Sequence, residues 1–189
     1  TSADGITKLD FEIESYNTGH VVAWVKTDVS STSDTILYMY YGNPNTTSQA
    51  NPEAVWDTNY LAVQHLKETT GTIYDSTNKN NDGTPLNGVI QGTTSKIDGG
   101  TQFDGTNDRI QLPKIFTTET QFTIEGWINP ENKQGYTISQ WLNNAGTFIQ
   151  YYPTENNFQL YVNSKTLKIP SSANNWHYVV GTFDGTTAR

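Results

Sequence analysis

The sequence predicts an all-β protein: an antiparallel sandwich preceded by a smaller antiparallel β segment. Three observations carry that expectation. Thr and Asn together supply about a quarter of the 189 residues, and aromatics are frequent, with eleven Tyr, seven Phe and five Trp. Thr and aromatic side chains suit a half-buried pleated surface, whereas Asn and Gly suit turns. Short runs of alternating apolar and polar residues recur along the chain, and no window shows a helical period of any length.

The first element spans residues 9–16, where Leu9, Phe11 and Ile13 alternate with Asp10, Glu12 and Glu14. The apolar set is expected to face a core and the acids to face water. Asn17-Thr18-Gly19 makes a turn, and residues 20–26 give a second strand carrying Val22 and Trp24. Residues 35–41 give a third, so the start of the chain reads as an antiparallel meander. Asn43-Pro44-Asn45 and the polar run through Pro52 end that pattern, because no strand persists through such prolines. A domain boundary is therefore expected at about residue 50, giving segments 1–50 and 51–189.

Beyond Trp56, strand patterns recur at intervals typical of a sandwich. They lie at 61–66, 83–87, 100–103, 109–112, 122–129, 136–141, 147–152, 158–162, 166–169 and 176–183. The alternation is cleanest from Phe122, with Phe122, Ile124, Gly126 and Ile128 on one face and Thr123, Glu125 and Trp127 on the other.

Bulk properties exclude several functions. The formal charge of −8 comes with no basic stripe, which argues against nucleic-acid binding. With no cysteine, disulfides, thiolate metal sites and a thiol nucleophile are excluded. No apolar stretch approaches the roughly 20 residues of a membrane span. Thr1 opens directly into polar sequence, so an export signal is expected upstream of it. Asn45-Thr46-Thr47 is a glycosylation sequon, a triplet that also arises by chance.

Five strings in a fixed order carry a resemblance. They are Val55-Trp56-Asp57 with 60–66; Tyr74-Asp75-Ser76-Thr77-Asn78 through Thr84; Phe103-Asp104-Gly105-Thr106-Asn107-Asp108-Arg109-Ile110; the strand at Phe122; and Trp176-His177-Tyr178 through Gly185. The segment from about residue 55 resembles the laminin-G-like branch of the concanavalin A-like jelly rolls. Residues 11–16, Ala23-Trp24-Val25-Lys26 and Tyr38-Met39-Tyr40-Tyr41-Gly42-Asn43-Pro44 resemble the end of a small β domain of unknown function found in archaeal and bacterial surface proteins. The resemblance implies an extracellular or cell-surface setting. It also implies that the first domain has strands before Thr1 and the jelly roll has strands after Arg189. The chain is thus expected to be a piece of a longer protein, truncation being preferred over strands donated by a neighbour.

The loop from Asp75 to Gly83 is the leading candidate for chemistry. Asp75, Asn78, Asn80 and Asp82 place hard oxygen ligands in one loop, a pattern suited to calcium, and the resemblance adds a structural ion as the implied occupant. The alternative is that these Asx side chains cap turns. Phe103 through Asp108 reads as a hairpin turn with Phe103 and Ile110 in the core, and Asp104 and Asp108 as secondary cation candidates. His20, His65 and His177 stand apart with no zinc spacing, and no Gly-x-Ser-x-Gly elbow exists. A glycosidase needs paired acids on one strand face; Glu12 and Glu14 alternate but read as a solvent face, and Glu125 stands alone on its strand. Aromatic faces stack on sugars, which makes Trp141, Tyr151, Tyr152 and Tyr161 candidates, with Trp141 and Tyr151 chosen for carbohydrate binding.

The resulting expectation is a non-catalytic recognition or adhesion module that binds glycans. A structural building block of a surface layer, stalk or filament, partnered by neighbouring surface-protein subunits, is the alternative. A glycoside hydrolase is the third class.

Overall fold

Strands dominate the computed structural model, which describes residues 1–116, 120–142 and 145–189, with only the backbone described for Trp141, Leu142 and Ala145. The elements in chain order are β1 (Phe11–Asn17), β2 (His20–Val25), a four-residue helical turn α1 (Pro52–Val55), β3 (Thr84–Leu86), β4 (Ile90–Thr94), β5 (Gly99–Gln102) and β6 (Arg109–Gln111). Then follow β7 (Phe122–Ile128), β8 (Gly135–Leu142), β9 (Ala145–Tyr152), β10 (Asn157–Val162), β11 (Lys165–Pro170) and β12 (His177–Phe183). Every pairing whose register is given is antiparallel, as the alternating sequence predicts.

The chain divides into two compact units, and not at residue 50. The first holds residues 1–85 with 90–102 and 110–112; the second holds 86–89, 103–109 and 113–189. Residues 51–85 join the first unit because their side chains complete its core, as follows.

In the first unit, β1 and β2 form a hairpin closed by Gly19, whose φ of +82° suits a residue without Cβ. A bulge between Ile13 and Ser15 shifts the register, so Glu14 and Ser15 are both buried. The expected polarity of β1 is inverted. Glu12 is only 4% exposed and Glu14 6%, while Ile13 and Tyr16 face solvent. The carboxylates are buried because donors meet them there, as burial of a charge demands. The Trp24 indole N–H donates to Glu14 Oε2 at 2.7 Å, and the Trp56 indole N–H donates to Glu12 Oε2 at 3.0 Å. The Ser76 hydroxyl donates to Glu12 Oε1 at 2.6 Å. His65 lies between the two acids, with Nε2 3.2 Å from Glu12 Oε2 and Nδ1 3.4 Å from Glu14 Oε2. Its ring stacks on Trp24 at 5.7 Å, and Trp24 and Trp56 meet at 5.4 Å.

Two expected strands are absent here. Residues 35–41 have no ladder partner among the described residues. Tyr38 exchanges backbone bonds with Thr1, Tyr40 donates its hydroxyl to Gly5 O, and Ile36 through Tyr41 are all exposed. Residues 61–66 form no strand because side chains take the place of ladder partners. Val63 N–H donates to Asp75 Oδ1, Asn81 Nδ2 donates to Leu61 O, and Leu66 turns away at a φ of +57°. The 103–108 turn does not close a hairpin either. Its flanking strands pair elsewhere, β5 with β4 and β6 with β3, and Phe103 is exposed.

The second unit contains two sheets. Strands β8 to β11 form a meander in spatial order β11-β10-β9-β8, and β12 pairs with β7. Ile149, Tyr151, Phe158, Leu160 and Val162 of the meander pack with Ile124 of β7 and Val179 of β12 in one buried cluster. A Cβ at Gly181 would come within 3.0 Å of Leu160 Cδ1, so the glycine admits close approach of the two layers.

Buried Glu12 gives the first unit a defined response to acid. Burial alone would raise the Glu12 pKa, but the contact to His65, the bonds from Ser76 and Trp56 and the His65 charge outweigh it and lower it to about 2. A carboxyl lowered from its ordinary 4.5 contributes stability that is full above about pH 4.5 and is lost as pH falls through about 2. Denaturant midpoints measured across that interval should fall with a smaller slope in Glu12→Gln than in the native chain.

Candidate functional site

The β7–β12 pair separates apolar from functional residues by strand pleat alone. Phe122, Ile124 and Ile128 of β7 and Val179 and Phe183 of β12 turn toward the core. On the other face the register sets Trp127 opposite Tyr178, Glu125 opposite Val180 and Thr123 opposite Thr182. Trp127 keeps 39% of its surface exposed and Tyr178 52%. Their ring centroids lie 5.3 Å apart with planes inclined by 45°, so the two rings act as one apolar surface. Glu125, exposed two residues along β7, adds a carboxylate beside it. A surface of this kind can stack on the C–H face of a sugar ring and accept hydrogen bonds from its hydroxyls. The alternation of β7 already set Trp127 and Glu125 outward in the sequence. What the sequence lacked was the cross-strand register that brings Tyr178 to Trp127.

The meander corrects one of the expected sugar-binding residues. Tyr151 is 2% exposed and belongs to the core, edge-on to Phe158 at 5.4 Å, with its hydroxyl 3.3 Å from Asn156 Oδ1. The pleat puts Tyr151 with Ile149 on the inner face of β9, so its ring is closed to any ligand. Trp141 lies on β8 opposite Gly146, and its side chain is outside the described residues. On the outer face of the meander, Tyr161 stacks flat on Phe148 at 4.8 Å and Tyr136 meets Phe148 edge-on. Beside them runs a buried amide chain. Gln150 Nε2 donates to Gln159 Oε1, Gln159 Nε2 to Asn157 Oδ1, and Asn157 Nδ2 to Glu155 Oε2, which also accepts from Lys168. These amides are engaged with one another, and on β7–β12 an aromatic pair, Trp127 and Tyr178, stays accessible.

The loop expected to hold calcium is closed on itself by hydrogen bonds. Asp75 is buried, and its two oxygens accept four hydrogen bonds, from Val63 N–H, Thr77 N–H, the Thr77 hydroxyl and Asn81 N–H, at 2.8 to 3.0 Å. An ionised carboxylate offers about four acceptor positions, and here the protein fills them. Asp82 Oδ1 accepts the Asp75 backbone N–H, and Asn80 Nδ2 donates to the Asn78 carbonyl, with Asn78 and Asn80 themselves exposed. The loop is a hydrogen-bonded turn that fastens residues 61–64 to residues 75–82. Among the described residues no group of three or more His, Asp or Glu is placed to hold a metal.

Asp104 and Asp184 serve turns. Asp104 accepts from Thr106 and Asn107 N–H, and these backbone bonds lower its pKa. Asp184 does the same for Thr187 and Thr186, which lowers its pKa strongly. His177 Nε2 contacts Ser172 O at 2.8 Å, a structural role.

Comparison with known proteins agrees with this architecture. Residues 104–189 match the family model described as the concanavalin A-like lectin/glucanases superfamily. Residues 1–84 match the model described as a domain of unknown function, DUF2341. Neither a curated protein nor a solved structure gives a match. The β-sandwich of the second unit fits the concanavalin A-like assignment, and the extent of the DUF2341 match agrees with a first unit that runs well past residue 50.

Removing the Asp75 carboxylate leaves buried N–H donors without acceptors. Asp75→Ala should lower stability by about 3 kcal/mol, and by the same amount with or without a divalent-cation chelator. Thermal melts of both proteins in the two conditions check this, and a chelator-sensitive native melt would restore an ion to the loop.

Proposed function

We propose that this chain, which joins a DUF2341 segment to a concanavalin A-like β-sandwich, is a non-catalytic extracellular module that recognises glycans through the outward face of β7 and β12. The observation that carries the reading is the exposed Trp127–Tyr178 pair, held in cross-strand register with a carboxylate beside it. A superfamily that contains lectins and glucanases is compatible with it.

Hydrolysis fits the residues less well. A two-carboxylate mechanism needs a second acid across the bound bond, and Glu125 is the single acid on the outward face of these two strands. Glu12 and Glu14 are a carboxylate pair, but they are closed within a core of Trp and His and bind protein donors. A second reading, a building block that packs against neighbouring surface-protein subunits, draws support from the exposed apolar run Ile36–Tyr41.

Under the leading reading, Trp127→Ala weakens glycan binding at least fivefold, since a stacked aromatic contributes on the order of 1 kcal/mol. A panel of soluble polysaccharides screened by affinity electrophoresis tests this; uniform absence of retention for the native chain would refute it.

A further inference from the structure

The charge around the aromatic pair narrows the ligand class. Glu125 shares the outward face with Trp127 two residues along β7, placing its Cα about 7 Å from that of Trp127. Glu125 sits diagonally across from Tyr178, whose strand partner is Trp127. Thr123, Val180 and Thr182 complete the two strands' outward face, so the face carries a carboxylate and no cationic side chain of its own. Beside β12, Arg189 exchanges backbone hydrogen bonds with Thr182 at the far end of this face from Tyr178, and its guanidinium is paired with Asp184 at 3.1 Å. The whole chain carries a formal charge of −8. Two forces on this face favour a cation. The π-faces of Trp and Tyr attract positive charge, and a carboxylate one sugar unit away attracts it again. Uronate and sulfated polymers meet the opposite field from both the face and the chain.

We propose that the β7–β12 face selects polysaccharides bearing free amines, glucosamine-type polymers, with Glu125 as the specificity-determining residue. This rests on the glycan-binding reading above. One protonated amine lies against Glu125 while the neighbouring sugar ring stacks on Trp127 and Tyr178. N-acetylated or neutral polymers retain the stacking and lose the ion pair.

The test uses the full chain and three tetrasaccharides: glucosamine, N-acetylglucosamine and galacturonate. Isothermal titration is run at low salt and at a pH where the amines are protonated. The expected result is that the glucosamine tetramer binds about tenfold more tightly than the N-acetylated one, with galacturonate weakest. That preference should shrink to within about twofold in Glu125→Gln or at high salt. Trp127→Ala should weaken the glucosamine and N-acetylglucosamine tetramers together. Equal affinity of the native chain for these two, unchanged by Glu125→Gln, overturns the amine preference and leaves glycan recognition standing. Binding of none of the three, together with an empty polysaccharide panel, overturns both.

Discussion

Side chains of a β-strand alternate between its two faces, and the use of this chain depends on which phase of that alternation each strand takes. In β7 and β12 the apolar phase turns inward, which leaves Trp127, Glu125 and Tyr178 on the outside by geometric necessity. The same rule on β9 turns Tyr151 inward with Ile149 and removes it from any ligand. A slip of one residue would exchange core and surface on the whole strand. Neither the core nor the candidate site can therefore change independently of the other.

In β1 the same constraint is obeyed in the opposite phase. Glu12 and Glu14 take the inner positions and Ile13 the outer one. An apolar-inward rule fails there because the partners that neutralise the acids are remote in sequence: Trp24 on the next strand, then Trp56, His65 and Ser76. Those residues also explain why the first unit extends beyond residue 50, since without residues 56–76 Glu12 would be buried without its donors Trp56 and Ser76, and both acids would lose His65. The Asp75 loop works by similar means, with one carboxylate replacing strand partners for residues 61–64.

How much of this was legible in the sequence follows from range. Strands β1, β2 and β7 to β12 were visible because their signal is local alternation closed by nearby turns. The run at 35–41 was misjudged because strand-like composition does not supply a ladder partner, and Tyr38 and Tyr40 bond Thr1 and Gly5 instead. The Asp75 loop was legible as an oxygen-rich turn but not as a saturated one, since its donors, Val63 and Asn81 among them, become neighbours only on folding. Likewise Trp127 was visibly on the face opposite Ile124, while its pairing with Tyr178 required a register spanning about fifty residues of intervening chain.

The five tryptophans provide a direct test of the central claim, that the β7–β12 outward face is where ligand meets protein. Two-dimensional NMR of the indole N–H resonances during titration with a glucosamine tetrasaccharide reports on each ring separately. The account predicts that the Trp127 indole shifts along with the backbone amides of β7 and β12, while the indoles of Trp24 and Trp56, bonded to buried glutamates, stay in place. Shifts confined to the outer face of β8–β11, with Trp127 unmoved, would contradict it.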